Sequence, residues 1–289
     1  MKKKPSNKFY LLDTIKNHWY FIQNQDFPSG VEMPSATTIL EMFPNPGLDF
    51  WKTNTSPEEI KQKQEDGMIQ GTKVHHCCYL LAHGQTINPD QGLIRKQIEL
   101  LPLETSEDKR KDDKLLNYLL QPLTEREAKC LESFKNYWEE FKPITIGKEL
   151  KVYHKKLRYA GTLDWVGYLF NKKLGHYELW IVDYKISKQH SRGYEGQNMC
   201  YYKALCEMYG KRFNARLGIL YLGKSTKKMF QLKEVDDKKR AWEDFMISKK
   251  LWHLFNTTAS PIMVKERETV SVDTSHKIKG RTIKLSKQH

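Results

Sequence analysis

The chain has 289 residues, and lysine plus arginine exceed aspartate plus glutamate by 49 − 35 = 14. This length is enough for one large domain or two small ones with a real hydrophobic core. A chain this basic most often meets polyanions, either nucleic acid or an anionic membrane surface. No apolar run approaches the ~20 residues that span a bilayer, and the first residues lack the apolar segment of a secretory signal. The five cysteines lack the paired spacing of zinc or iron–sulfur ligands and favour a reducing compartment.

The front of the chain predicts a strand or hairpin over residues 9–22 and a helix over residues 34–43. Ser35 is a good N-cap for that helix, because its hydroxyl can accept a backbone N–H from the first turn. Hydroxyls and free amides at a helix start also bind phosphate, so Ser35, Thr37 and Thr38 are candidate contacts to nucleic acid. Capping alone is the alternative explanation of Ser35.

A polar helix is predicted near residues 57–66, followed by an amphipathic helix within residues 67–84. Apolar residues at helical spacing define the buried stripe of the second helix, namely Val74, Cys77, Cys78 and Leu81. His75 lies at the edge of that stripe, where it is either a surface or core histidine or a metal ligand. We expect Gly71, one turn earlier, to let a neighbouring backbone approach closely.

The middle of the chain is polar over residues 85–124, which predict a mobile helical insertion over the functional site. A solvated surface excursion is the alternative for this segment. Residues 125–141 predict an amphipathic helix, and residues 144–154 predict a strand that carries Glu149 at a candidate site position.

Residues 159–185 predict a β-hairpin with a polar, glycine-containing turn. Its second arm, residues 179–185, is dense in apolar, β-branched and aromatic residues, as a buried strand should be. Alternation along this arm places Asp183 and Lys185 on one face at the strand end. The first arm carries Asp164, which lies 183 − 164 = 19 residues earlier.

Two carboxylates that converge beside one lysine predict a divalent-cation site. Carboxylates at close range repel each other, and a hard cation such as Mg²⁺, which prefers oxygen ligands, relieves that repulsion. Mg²⁺ keeps several waters, one of which can attack a phosphodiester, and Lys185 would orient that water or stabilise the developing charge. A structural Asp–Lys pair is the alternative, because D-x-K tripeptides are common by chance.

The last third predicts a helix, two strands, a second helix and a polar basic tail, at residues 195–210, 216–223, 227–235, 236–255 and 258–289. Gln197 and Tyr201 share one face of the first of these helices, because they are four residues apart.

The order of these motifs resembles that of the PD-(D/E)XK nuclease superfamily, in its RecB-like exonuclease branch. The motifs are GTKVH on a helix, Glu149 on a strand, GTLD, DYK and a helix with Q-x₃-Y. PSATTIL followed by Trp51 also resembles the mitochondrial genome maintenance exonucleases and related phage proteins. The similarity covers roughly residues 15–255, although Leu163 stands where the superfamily has its proline.

The resemblance implies an α/β fold with a restriction-endonuclease-like mixed central sheet flanked by helices on both faces. One nuclease domain would span residues 1–257, with the helical insertion at about 85–124, and a basic tail would follow at residues 258–289. The implied ligands of Mg²⁺ or Mn²⁺ are His75, Asp164, Asp183 and the Tyr184 carbonyl. Lys185 would be the catalytic lysine and Glu149 an auxiliary acid. Gln197 and Tyr201 would contact DNA or support the site.

The activity implied is metal-dependent hydrolysis of DNA by an exonuclease that acts on single-stranded DNA or DNA ends. We expect DNA as the partner, together with replication or recombination proteins, and no membrane or small-molecule cofactor. The expected location is the cytoplasm of a bacterial or phage-infected cell, and the mitochondrial matrix is the alternative location. Two alternatives are a structure-specific or restriction-like endonuclease and a non-catalytic nucleic-acid-binding protein.

Overall fold

The computed structural model describes residues 8–13, 18–101, 113–187, 190–256, 276–278 and 281–283. Its strands are β1 Lys8–Asp13, β2 His18–Gln23, β3 Val31–Pro34, β4 Ile144–His154, β5 Tyr159–Asn171, β6 His176–Lys185, β7 Arg216–Tyr221, β8 Gln231–Glu234, β9 His276–Ile278 and β10 Arg281–Ile283. Its helices are α1 Ala36–Leu40, α2 Pro46–Thr53, α3 Pro57–Leu81, α4 Arg95–Ile98, α5 Asp113–Leu120, α6 Glu125–Phe141, α7 Arg192–Met208 and α8 Lys238–Phe255. The predicted tail lies outside the described residues, apart from the β9–β10 pair.

The central sheet has the strand order β4-β5-β6-β7-β8, and its neighbours are antiparallel except for β6 and β7. The turn between β5 and β6 closes where Asn171 Oδ1 accepts the backbone N–H groups of Lys173 and Leu174, and Gly175 has a φ of 70°. The predicted hairpin is therefore confirmed. A parallel pair needs a long crossover connection, and α7 lies within the connection from β6 to β7.

Helices pack on both faces of this sheet. Ile181 and Ile219 share a core cluster with residues of α1, α7 and α8, including Phe245. Val182, on the opposite face, shares a second cluster with residues of α3 and α6, including Phe134. The predicted α/β class and mixed central sheet between helices are confirmed.

A smaller antiparallel sheet, β1-β2-β3, lies beside the amino-terminal half of β5. The Tyr20 hydroxyl lies 2.9 Å from Thr162 Oγ1, and Ser35 forms a parallel bridge with Ala160. The opening hairpin predicted from the sequence is confirmed, and its third strand joins it to the central sheet.

The two helices predicted near residues 57–66 and 67–84 are one continuous helix, α3. Two interior glycines do not interrupt it, because a single glycine lowers helix stability by only about 1 kcal/mol. The predicted close backbone approach at Gly71 was wrong, since a Cβ placed there meets nothing within 4 Å. The predicted strand over residues 227–235 is also shorter, because Met229 has a φ of 63° and β8 begins at Gln231.

Within residues 85–124, α4 and α5 contribute to an apolar cluster with α3 and α6. This cluster contains Leu93 and Leu119 from the segment, Leu80 from α3 and Leu131 from α6. The described part of the segment therefore packs on α3 and α6 through a small apolar core that it shares with them. Residues 102–112, within the predicted insertion, lie outside the described residues.

A buried ion pair joins this segment to α3 and α6. Glu127 Oε1 accepts a 2.6 Å hydrogen bond from the Tyr118 hydroxyl, and Glu127 Oε2 lies 3.6 Å from Lys73 Nζ. The same ammonium donates to the backbone carbonyls of Gln121 and Pro122 at 2.9 and 3.1 Å. Both charged side chains are almost fully buried, so each depends on the other for its compensation.

Replacing Glu127 by glutamine should lower the free energy of unfolding by about 3–5 kcal/mol, because it leaves the Lys73 ammonium buried without a carboxylate. A urea or guanidinium titration followed by circular dichroism measures this loss. Glu125→Gln, at an exposed position on the same helix, is the control and should change stability by no more than about 0.5 kcal/mol. Equal effects in the two variants would contradict a stabilising role of the pair.

Candidate metal centre

The candidate site forms where β5 and β6 separate. Their ladder ends at the pair Trp165 and Val182. Residues two apart in a strand normally have their side chains on the same face of the sheet. Here Leu163 packs in the cluster with α7 and α8, whereas Trp165 packs on the opposite face, in the cluster with α3 and α6. The alternation therefore breaks at Asp164. The Asp164 Oδ2 atom accepts the Tyr184 backbone N–H at 2.6 Å and fixes the carboxylate at this opening.

The alternation predicted for β6 is confirmed. Ile181 packs towards α7 and α8, and Val182 and Tyr184 pack towards α3 and α6. Asp183 is 1% exposed, and its Oδ2 atom lies 2.7 Å from Lys185 Nζ. The two side chains form an ion pair at the end of β6.

His75 reaches the opening from α3. Its Nε2 atom lies 3.1 Å from the Tyr184 carbonyl oxygen, and its Nδ1 atom lies 3.4 Å from Asp164 Oδ1. Three of the residues predicted as metal ligands are therefore in mutual contact, namely His75, Asp164 and the Tyr184 carbonyl.

Glu149 completes this group from β4. The register that pairs Lys148 with Trp165 and Leu150 with Leu163 sets Glu149 opposite Asp164. Its φ of 47° lies in the left-handed region, which non-glycine residues seldom adopt. Strained residues of this kind often occur at functional sites.

One ligand atom from each of His75, Glu149 and Asp164 lies within 4.8 Å of the others. Among the described residues, this is the group whose spacing suits one metal ion, and Asp183 is not part of it. The structure thus places Glu149, predicted as an auxiliary acid, among the groups that could hold a cation. Asp183 lies next to this group through its neighbour Tyr184.

The charges at the site alter one another's protonation. Burial lowers the pKa of His75, but Asp164 and Glu149 outweigh burial and raise it to about 9. Burial raises the pKa of Asp183 to about 6, against the opposing effect of Lys185. Burial also raises the pKa of Asp164, but His75 and Lys185 bring it below its usual value. Without a cation, protonated His75 and Lys185 therefore compensate the carboxylates.

Gln197 and Tyr201 lie behind the site and are buried. Gln197 Nε2 donates a 2.8 Å hydrogen bond to the Tyr201 hydroxyl. A Cβ at Gly161 would lie 2.4 Å from the Tyr201 ring, so the glycine of GTLD makes room for this ring. The burial accords with support of the site and leaves neither side chain open to direct contact with DNA.

Ser35 and Thr38 are also buried. Ser35 Oγ accepts the Thr38 N–H at 2.9 Å, and Thr38 Oγ1 donates to the His18 carbonyl at 3.1 Å. Thr37 is half-buried and its hydroxyl lies 2.7 Å from Ser35 Oγ. Capping and attachment to β2 account for the hydroxyls of Ser35 and Thr38, and the contacts of Ser35, Thr37 and Thr38 with nucleic acid stay a prediction.

Tyr194 was not predicted as a site residue, yet its ring lies 5.0 Å from Lys185 Nζ. A cation over an aromatic face is attracted by the ring's charge distribution. The sequence holds no spacing signal for this contact, because it depends on how the first turn of α7 packs against the end of β6.

No protein-family model matches this sequence, and a search of curated proteins found no match. Across the described part of the chain, every helix is too short or too polar to cross a bilayer.

Binding of Mn²⁺ between pH 7 and 8 should release a proton from His75, because a ligating imidazole must lose the proton that its pKa of about 9 retains. The affinity for Mn²⁺ should rise by up to about tenfold per pH unit in this range and level off above pH 9. Calorimetric titration in buffers of different ionisation enthalpy measures the proton count.

His75→Ala should bind Mn²⁺ weakly and without proton release. His76→Ala is the matched control, because His76 lies about 100° round the helix and its pKa is lowered by burial to about 4. Wild-type affinity for Mn²⁺ that does not vary with pH would contradict ligation by His75.

Proposed function

We propose that this chain is a divalent-metal-dependent deoxyribonuclease that acts as an exonuclease on single-stranded DNA or DNA ends. The observation that carries the proposal is the convergence of His75, Glu149 and Asp164 at the opening between β5 and β6, beside the buried pair Asp183–Lys185. Metal ligands next to a fixed ammonium are the groups that phosphodiester hydrolysis needs.

The donor set fits Mg²⁺ or Mn²⁺. Carboxylates of Glu149 and Asp164 and the Tyr184 carbonyl offer oxygen, which hard divalent cations prefer, and the imidazole of His75 favours Mn²⁺ of the two. The buried Asp183 Oδ2 atom, 2.7 Å from Lys185 Nζ, is a further acceptor for positive charge.

A divalent cation held there would supply charge neutralisation at a phosphate oxygen and a lowered pKa for water. The side chains of the chain itself do the rest. Burial lowers the pKa of Lys185, but Asp183 and Asp164 outweigh it and raise that pKa, so the ammonium stays charged at neutral pH. Lys185 can therefore donate to the attacking water or to the charge that develops on phosphate.

Asp183 differs from an ordinary carboxylate because its pKa is raised to about 6. It is ionised at neutral pH and binds a proton more tightly than an exposed aspartate does, which suits a proton acceptor near neutral pH. The excess of 14 positive charges over the whole chain favours a polyanionic substrate through phosphate contacts.

The wild-type protein should digest end-labelled linear single-stranded DNA when Mg²⁺ or Mn²⁺ is added, and EDTA should stop the reaction. Closed circular single-stranded DNA should survive, because an exonuclease needs an end. Asp183→Asn should lower the cleavage rate by about 10²–10³-fold while DNA binding persists or tightens, since one negative charge is removed. Gel analysis of the digestion and a binding assay in EDTA measure these effects.

Asp236→Asn removes the same charge from an exposed position and should cleave at the wild-type rate. Cleavage of the circle by the wild type would replace exonuclease by endonuclease action. Near-normal cleavage by Asp183→Asn would contradict the assignment of the site, and absence of any metal-dependent cleavage would favour a non-catalytic DNA-binding protein.

A further inference from the structure

Three basic side chains surround one buried carboxylate near the candidate metal centre. Glu195, in the first turn of α7, is only 4% exposed. Its Oε1 atom lies 2.9 Å from His190 Nε2 and 3.3 Å from Lys233 Nζ, and its Oε2 atom accepts a hydrogen bond from Arg240. We call His190, Lys233 and Arg240 the basic cluster.

The basic cluster lies beside Lys185. Lys185 and Tyr221 are register partners on the parallel strands β6 and β7, whose backbones are about 4.8 Å apart. Alternation puts Lys185 on the same face as Tyr221, and the Tyr221 hydroxyl lies 2.5 Å from His190 Nδ1. Tyr194, which contacts the Lys185 ammonium, directly precedes Glu195. The basic cluster and the catalytic lysine thus share the carboxyl-terminal end of one sheet face.

The two permanent cations of the basic cluster are open to solvent. Lys233 and Arg240 are 37% and 42% exposed, whereas the carboxylate of Glu195 between them is buried. Asp237 and Asp244 also lie near Arg240, but Asp244 is bonded to Arg192. An anion in solvent can therefore reach both cations.

At the other end of β7, Arg216 is held by two carboxylates, Glu178 and Glu234, so its positive charge is compensated.

We propose that the basic cluster is a phosphate-binding subsite, which holds a phosphate of the nucleic-acid strand adjacent to the bond that is cleaved. The inference rests on the proposed nuclease function and names a further contact of the same substrate. Arg240 offers a planar fork of donors that matches phosphate geometry, and Lys233 offers a compact charge. Glu195 is the positioning residue, because it holds both side chains and so lowers the entropy lost when phosphate binds.

The test measures binding of a fluorescent single-stranded oligonucleotide in EDTA over a range of salt concentrations. Lys233→Gln and Arg240→Gln should each lower the slope of log K against log salt by about 0.7, the value of one phosphate contact on a single strand. By the same slope, affinity at 0.05 M salt should fall about eightfold. Lys239→Gln, next to Arg240 but 87% exposed and outside the basic cluster, should leave the slope unchanged.

Binding of oligonucleotides with and without a terminal phosphate distinguishes the two possible sources of the bound phosphate. A loss confined to strands with a terminal phosphate assigns the subsite to a strand end, and an equal loss without that phosphate assigns it to a phosphodiester within the strand. Unchanged slopes in both cluster variants, with lowered melting temperatures, would overturn the proposal in favour of a purely structural ion-pair network. If Arg240→Gln does not fold, Lys233→Gln alone decides.

The binding assay is independent of cleavage. Salt slopes that fall as expected in a protein that never cleaves DNA would support the subsite and overturn the proposed nuclease function. Unchanged slopes in variants that cleave normally with metal would overturn the subsite alone.

Discussion

One hydrogen bond determines the arrangement of the site: the Tyr184 backbone N–H donates to Asp164 Oδ2 where β5 and β6 separate. A buried backbone N–H must be bonded, and here a carboxylate takes the place of the next strand carbonyl. The Tyr184 carbonyl then faces His75, and the neighbouring Asp183 emerges on the other face of the sheet beside Lys185. The hydrogen-bonded ladder between β5 and β6 can therefore end inside the protein without an unsatisfied backbone N–H. At this end the carboxylate of Asp164 and the carbonyl oxygen of Tyr184 both lie beside His75.

Compensation of buried charge explains why this end of the sheet can be stable without a cation. His75 pairs with Asp164, and Lys185 pairs with Asp183, so each of these two aspartates has a positive neighbour. A divalent cation would replace the proton on His75 and add one positive charge, which the Glu149 carboxylate can balance. The helix that carries His75 is held in turn by the Lys73–Glu127 pair, which joins it to α6.

Much of this could be predicted from local pattern, because alternation along β6 and helical spacing in α3 decide which side chains share a face. Glu149 was also predicted at the site, but the register that sets it opposite Asp164 could not be predicted. An extra residue, Ile146, shifts the register from Thr145–Gly167 to Gly147–Val166, and without it Glu149 would face Leu163 instead of Asp164. The burial of Ser35 and the Gly161–Tyr201 contact were equally invisible, since each depends on elements that are distant in sequence.

We infer that a divalent cation binds where β5 and β6 separate. Crystals grown with saturating Mn²⁺ test it directly, because anomalous scattering locates the ion independently of activity. We expect a strong peak in contact with His75, Glu149, Asp164 and the Tyr184 carbonyl oxygen. A peak elsewhere, or ordered water in place of a peak at this position, would contradict it.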